Sequence, residues 1–122
     1  MTLSAAILGL EGSELSAWER GFFAETRPYG FILFSRNIQD PEQLRRLTGD
    51  LRDTVGHDAP ILIDQEGGRV QRLAPPHWRA WLPPLDQMKR GRWMGHPPHQ
   101  FIPARSPQTG FERLSGLPKR RR

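Results

Sequence analysis

Three short apolar runs alternate along the chain with two segments that carry helix signals, and this alternation restricts the fold more than any other feature of the sequence. The runs are Ala5–Leu10, Gly30–Phe34 and Pro60–Asp64. Their nearly continuous apolar character is typical of strands that are buried on both faces. Strands that alternate with helices over short connections form a parallel sheet, so we predict an α/β fold.

The two intervening segments carry the local signals that start a helix. Ser16 and Glu19 have the spacing of a capping box, which predicts a helix from there to about Thr26. The second segment begins with an Asp-Pro pair and places its apolar residues along one helical face. It therefore predicts a second helix over residues 41–55.

The charge of the chain changes sign near residue 88. Residues 1–88 contain nine Arg against twelve Asp and Glu, whereas residues 89–122 contain nine Lys and Arg against Glu112 alone. The second part also holds five prolines and has no apolar periodicity, so it cannot bury enough surface to offset its conformational entropy. We predict a folded segment over 1–88 and a disordered basic tail over 89–122.

Cysteine is absent, which excludes disulfide bonds and thiolate chemistry. The longest apolar stretch is far short of the roughly 18 residues that indicate a membrane span. The first residues are apolar but lack the basic region of a signal peptide. We therefore predict a cytoplasmic protein with no membrane partner.

Charged and amide side chains are concentrated directly after the third apolar run, in Asp64–Arg72. Ligands of α/β proteins bind at the carboxyl ends of the strands. Gly67 and Gly68 permit a sharp turn, so the Asp64 carboxylate and the guanidinium groups after the turn can converge on one ligand. This mixture of donors and acceptors suits a polyhydroxylated molecule. The alternative is an Asp–Arg ion pair with a purely structural role.

A pair of catalytic carboxylates is a second interpretation of the same loop. Asp64 and Glu66 are two positions apart, which on an extended segment places both carboxylates on one face at roughly 6.6 Å. Glycosidase pairs are separated by about 5 to 9.5 Å. The Gly-Gly turn, however, is expected to direct Glu66 away, so we assign no catalytic residue here.

Three motifs occur in order along the chain, namely GFILFSRN at 30–37, DPEQL at 40–44 and IDQEGGRVQR at 63–72. They resemble the N-terminal part of bacterial β-N-acetylhexosaminidases of glycoside hydrolase family 3, and the resemblance covers about residues 5–87. It implies a partial (β/α)8 TIM barrel of about three strands and two helices. It also implies a retaining enzyme without cofactor that removes terminal N-acetylglucosamine from peptidoglycan fragments in cell-wall recycling.

The resemblance further implies roles for individual residues. Asp64 would bind sugar hydroxyls and Arg72 would help to hold the same amino sugar, whereas four residues would shape the loop: Glu66, Gly67, Gly68 and Arg69. The nucleophile and the acid/base of the family lie beyond the matched stretch and have no counterpart in residues 89–122. We therefore expect a truncated or frameshifted enzyme whose 122-residue form is inactive.

Other features admit alternatives. Trp78 and Trp81 either stack on a sugar ring or cover a core. His96 and His99 are flanked by prolines and lack a third ligand, so we predict no metal site. The basic end, Lys119–Arg122, supports an alternative function as a small nucleic-acid-binding protein, although we expect no nucleic-acid partner. A further alternative is a non-functional partial product.

Overall fold

The computed structural model describes residues 2–93 and 111–113, which have a mixed α/β fold. The elements in chain order are β1 (Ser4–Leu8), α1 (Ala17–Thr26), β2 (Pro28–Leu33), a 3-10 turn (Ser35–Asn37), α2 (Pro41–Val55), β3 (Ile61–Gly67), β4 (Val70–Gln71), α3 (Pro84–Trp93) and β5 (Phe111–Arg113). The chain divides into two compact units inside β3, between Ile63 and Asp64. None of the described helices has the length and apolar character needed to cross a bilayer.

The sheet has the strand order β1-β2-β3-β4, and β5 also pairs with β3. The first three strands are parallel, with Ile7 beside Gly30 and Phe31 beside Ile61. This confirms the predicted parallel arrangement of the three apolar runs. β4 is antiparallel to β3 and was not predicted, because two residues after a glycine turn carry too little pattern to identify a strand.

Both predicted helices are confirmed, and local capping explains their ends. Ser16 caps α1 in a capping box with Glu19. Asp40 caps α2 through bonds to two backbone N–H groups, and Pro41 occupies the first helical position. α2 ends at Gly56, which has φ of 71° and thus the left-handed conformation that favours glycine at this position.

One face of the parallel sheet packs on the helices and forms the core of the first unit. The ring of Phe23 in α1 meets that of Phe31 in β2 edge-on, with centroids 5.0 Å apart. α2 contributes one buried apolar stripe. The fully buried apolar side chains of this core include Phe31, Leu33, Leu44, Leu47, Leu51, Ile61 and Ile63.

The prediction that the first strand is buried on both faces is wrong. β1 alternates between half-buried and exposed residues, and Ile7 is 46% exposed. Leu8 lies beside Phe31 and so faces the core, whereas Ile7 lies beside Gly30 on the opposite face of the sheet. An apolar run alone does not distinguish a strand buried on two faces from one buried on a single face.

The boundary predicted at residue 88 falls inside α3, which continues to Trp93. Pro84 at the first helical position, followed by residues with good helix propensity, favours this helix. Residues 111–113 form β5. Disorder elsewhere in 89–122 stays a prediction, because residues 94–110 and 114–122 lie outside the described part of the chain.

The buried carboxylate of Glu19 accepts three hydrogen bonds. One oxygen accepts from the N–H of Glu11 at 2.8 Å, and the other accepts from the N–H and the hydroxyl of Ser16 at 3.0 and 3.1 Å. Burial by itself raises the pKa of Glu19, but these three hydrogen bonds together outweigh it, and the net pKa is lowered. The charged form of Glu19 therefore stabilises the fold.

We expect Glu19→Gln to lower the free energy of unfolding at pH 7 by about 1 to 3 kcal/mol, because a neutral amide has only one oxygen for these donors. The pKa of Glu19 in the folded state lies below its ordinary value of 4.5, so the stabilisation is complete above pH 4.5. It is lost as the pH falls through the folded-state pKa. Urea unfolding of both proteins at pH 7 and pH 3 should give curves that converge in acid.

Glu25→Gln is the matched control, because Glu25 is exposed on the same helix. Its stability should stay within about 0.5 kcal/mol of the wild type. A difference between Glu19→Gln and the wild type that is the same at pH 7 and pH 3 would contradict the assigned role of the charge.

Candidate functional site

β3 ends in a segment whose successive side chains lie on opposite faces of the strand. Gln65 and Gly67 are buried, whereas Asp64 is half-buried and Glu66 is exposed. This alternation follows from the twofold period of an extended chain. It places the Asp64 carboxylate on the accessible face of the second unit.

The structure brings Asp64 and Arg72 together. The sequence analysis predicted this convergence for the carboxylate before the glycine turn and a guanidinium group after it. Asp64 Oδ2 and Arg72 Nη2 are 3.4 Å apart, with the side chains 19% and 26% exposed respectively. The backbone N–H of Arg72 also donates to the carbonyl of Asp64 at 3.3 Å. The pair is partly accessible to a ligand and partly shielded from water.

The turn between β3 and β4 depends on glycine at two successive positions. Gly67 and Gly68 have φ angles of 102° and 64°. A Cβ atom on Gly67 would collide with the backbone carbonyl oxygen of Leu82, and one on Gly68 would lie 2.7 Å from the ring of Pro83. The turn therefore combines a backbone conformation that side chains rarely adopt with a close approach of the following segment.

Two glutamines, which the sequence analysis did not single out, hold the loop that follows. Gln65 is 4% exposed, and its side-chain amide binds the backbone of Arg72 and Leu73. The Gln71 amide accepts from the N–H of Trp81 at 2.8 Å and donates to the carbonyl of Arg79 at 2.6 Å. The predicted strand ended at Asp64, and only its extension to Gly67 makes the alternation place a buried amide at Gln65, where buried amides require partners.

The two tryptophans of this loop, Trp78 and Trp81, are half-buried, whereas His77 is exposed. The guanidinium carbon of Arg79 lies 5.2 Å from the ring centroid of Trp81, and His77 meets Trp78 edge-on at 5.8 Å. The N–H of Gly68 donates to the carbonyl of Trp81 at 2.9 Å, which ties the end of the loop to the glycine turn. Stacking of either tryptophan on a sugar stays a prediction.

The charged groups of this loop can form hydrogen bonds of both senses with a ligand. The Asp64 carboxylate only accepts hydrogen bonds and the Arg72 guanidinium only donates them, so together they match a molecule that carries neighbouring hydroxyl groups. Glu66 and Arg69, predicted to shape the loop, are exposed. His96, His99 and the basic stretch 119–122 lie outside the described residues.

Comparison with known proteins identifies bacterial β-hexosaminidases as relatives, although no family profile matches the chain. It is 50% identical over 73 residues to the β-hexosaminidase of Alkalilimnicola ehrlichii, covering 60% of this chain and 21% of that protein. It is 36% identical over 117 residues to that of Thiobacillus denitrificans, covering 96% and 31%. That alignment includes most of residues 89–122, the segment that the sequence analysis places outside the resemblance.

Two solved structures are also similar to this chain. NagZ from Neisseria gonorrhoeae, in complex with N-trifluoroacetyl-D-glucosamine, matches 76% of this chain with a TM-score of 0.65 and 28% identity. A glycoside hydrolase family 3 β-N-acetylglucosaminidase from a Paenibacillus species matches 70% with a TM-score of 0.60 and 30% identity. The chain covers 27% and 17% of these two structures, and about a fifth to a third of the β-hexosaminidases that it matches.

Proposed function

We propose, on the premise that the chain is homologous to a segment of the family 3 β-hexosaminidases, that Asp64 and Arg72 bind an amino sugar. The observation that carries the proposal is their contact at 3.4 Å on a loop braced by glycines and buried amides. The ligand class is a terminal β-linked N-acetylglucosamine, as in the muropeptides released during cell-wall recycling. A NagZ structure that contains an N-acetylglucosamine analogue supports this ligand class.

The arrangement suits a pyranose because adjacent ring hydroxyls each offer one donor and two acceptor sites. Asp64 accepts from two hydroxyl hydrogens, while Arg72 donates to a hydroxyl oxygen of the same sugar. Hydrogen bonds to charged groups contribute more than neutral ones, about 1.5 to 3 kcal/mol each. The glycine turn holds both groups in place before the sugar arrives, which reduces the entropy lost on binding.

We also propose that the parallel strands β1, β2 and β3 with their helices form a partial (β/α)8 barrel. Strands that alternate with helices in this order are the repeating unit of such barrels. The exposed Ile7 lies on the sheet face opposite the helices, the face that lines the interior of a closed barrel. A cytoplasmic location stays a prediction, consistent with the absence of cysteine.

Sugar binding is tested by titrating the 122-residue chain with N-acetylglucosamine and following its NMR chemical shifts. We expect Asp64→Ala to weaken binding by about 1 to 3 kcal/mol, because the mutation leaves sugar hydroxyls and Arg72 without their acceptor. Asp53→Asn removes an exposed carboxylate from α2 and should leave the affinity unchanged. Equal affinities for the wild type and Asp64→Ala would refute the proposed site.

We expect the same chain, assayed alone, to show no hydrolysis of an aryl β-N-acetylglucosaminide above background. A retaining mechanism requires a nucleophile and an acid/base on either side of the bond. Asp64 is paired with Arg72 and Glu66 is exposed, and both belong to one short segment of β3, so they do not flank a bound glycosidic bond from two sides. Turnover that disappears in both Asp64→Ala and Glu66→Ala would contradict this expectation.

A further inference from the structure

Gln65 lies next to Asp64 in β3, and its side chain is on the opposite, buried face of the strand. Its Oε1 accepts from the N–H of Arg72 at 3.2 Å and from the N–H of Leu73 at 3.0 Å. Its Nε2 donates to the carbonyl of Leu73 at 2.9 Å. One buried amide therefore makes three hydrogen bonds to two successive residues.

These bonds begin where the strand ladder ends. β4 consists of Val70 and Gln71 only, and the last ladder pair joins Gln71 to Gln65. Beyond that pair the N–H of Arg72 is shared between the carbonyl of Asp64 at 3.3 Å and the Gln65 amide. The two distances lie at and just beyond the upper end of the range for an N–H···O bond, so Arg72 is held by two long, shared contacts. The bonds of Gln65 to Leu73, at 3.0 and 2.9 Å, complete the attachment.

We propose that Gln65 is a positioning residue for the sugar site. Its amide replaces the strand ladder over Arg72–Leu73 and thereby holds the Arg72 guanidinium beside the Asp64 carboxylate. The effect of Gln65 on sugar affinity rests on the proposed function. The immobilisation of Arg72 does not rest on it, because the mobility of Arg72 is measurable in the protein without sugar.

The position requires an amide of this length. Leu73 presents both an N–H and a carbonyl to the same side chain, so the partner must donate and accept within one planar group. A methionine fills the same volume but makes none of these bonds, and an asparagine is one methylene too short to reach them. A glutamate keeps the two acceptor bonds, but its second oxygen would face the carbonyl oxygen of Leu73, which adds repulsion and the cost of a buried charge.

Gln71 provides a matched control from the same pair of strands. It also donates to the carbonyl of Leu73, at 2.8 Å, but its other hydrogen bonds go to Arg79 and Trp81. Gln71→Met therefore removes a comparable number of amide bonds from the same loop. It should loosen residues 79–81 and leave the Arg72 guanidinium in place.

The test uses 15N-labelled 122-residue chain and measures the relaxation of Arg72 Nε together with hydrogen exchange of the Arg72 and Leu73 amides. In Gln65→Met and Gln65→Asn we expect a mobile Arg72 side chain and exchange that is roughly 5- to 30-fold faster, the factor given by one or two net hydrogen bonds. N-Acetylglucosamine should bind more weakly by a similar factor. Gln65→Glu should not restore the rigidity, because its second oxygen cannot donate to the Leu73 carbonyl.

The proposal fails if Arg72 stays as rigid as in the wild type in either variant that circular dichroism shows to be folded. It also fails if neither variant folds, because Gln65 would then stabilise the whole chain and not Arg72 in particular. The proposal is also overturned if Arg72 is as mobile in Gln71→Met as in Gln65→Met. Absence of sugar binding by the wild type would refute the proposed function, while Arg72 relaxation would still decide the role of Gln65.

Discussion

Gly67→Ala should lower the free energy of unfolding by about 2 to 4 kcal/mol and release the loop that carries Arg72. Gly67 has φ of 102°, a conformation outside the regions that alanine adopts without strain. The added Cβ would also meet the backbone carbonyl of Leu82, which cannot move aside as the end of a flexible side chain can. Urea unfolding followed by tryptophan fluorescence measures the loss, because Trp78 and Trp81 lie in this loop.

Gly49→Ala is the matched control for this substitution. Gly49 lies inside α2, and a Cβ atom there would meet nothing within 4 Å. Alanine forms helix more readily than glycine, so this variant should be more stable by about 0.5 to 1 kcal/mol. The two changes add the same methyl group and should act in opposite directions. A Gly67→Ala protein as stable as the wild type would contradict the described turn.

Phe31→Ala should cost about 3 to 5 kcal/mol, a large part of the roughly 5 to 15 kcal/mol that stabilises an ordinary domain. Phe31 has no exposed surface, and its ring packs edge-on against Phe23 of α1. The substitution leaves a cavity at the centre of the first unit. Loss of the helical circular dichroism signal at a lower urea concentration measures this effect.

Phe22→Ala is the matched control for Phe31→Ala, because it makes the same chemical change in α1 at the position before Phe23. Phe22 is 38% exposed and stacks on Trp18, which is itself 71% exposed, with ring centroids 5.1 Å apart. Removing it should cost no more than about 1 kcal/mol. Equal losses in Phe22→Ala and Phe31→Ala would show that the core of the first unit is not centred on Phe31.

Part of the candidate site could be predicted because it depends on residues close together in the chain. Asp64 and Arg72 flank a Gly-Gly turn, and a turn of that kind brings the residues on its two sides together whatever the rest of the fold is. The side-chain bonds of Gln65 were missed, because a polar loop motif does not reveal which of its amides is buried. Burial of Gln65 follows from the alternation along β3 only once the strand is known to extend to Gly67.

The sequence by itself determined α1 and α2 and the parallel arrangement of the three apolar strands, whereas α3 was not predicted. Ser16, Glu19, Asp40 and Gly56 set helix ends through contacts that span four residues or fewer, so no distant part of the chain is needed to form them.

The tertiary structure decided which faces are buried and how far each strand extends. β1 is half exposed because only its Leu8 side faces the core beside Phe31. The glycine turn is confined by Leu82 and Pro83, which approach from well beyond the motif. Burial and close approach are properties of surfaces brought together from separate segments, and an apolar run or a charged motif does not specify what will lie against it.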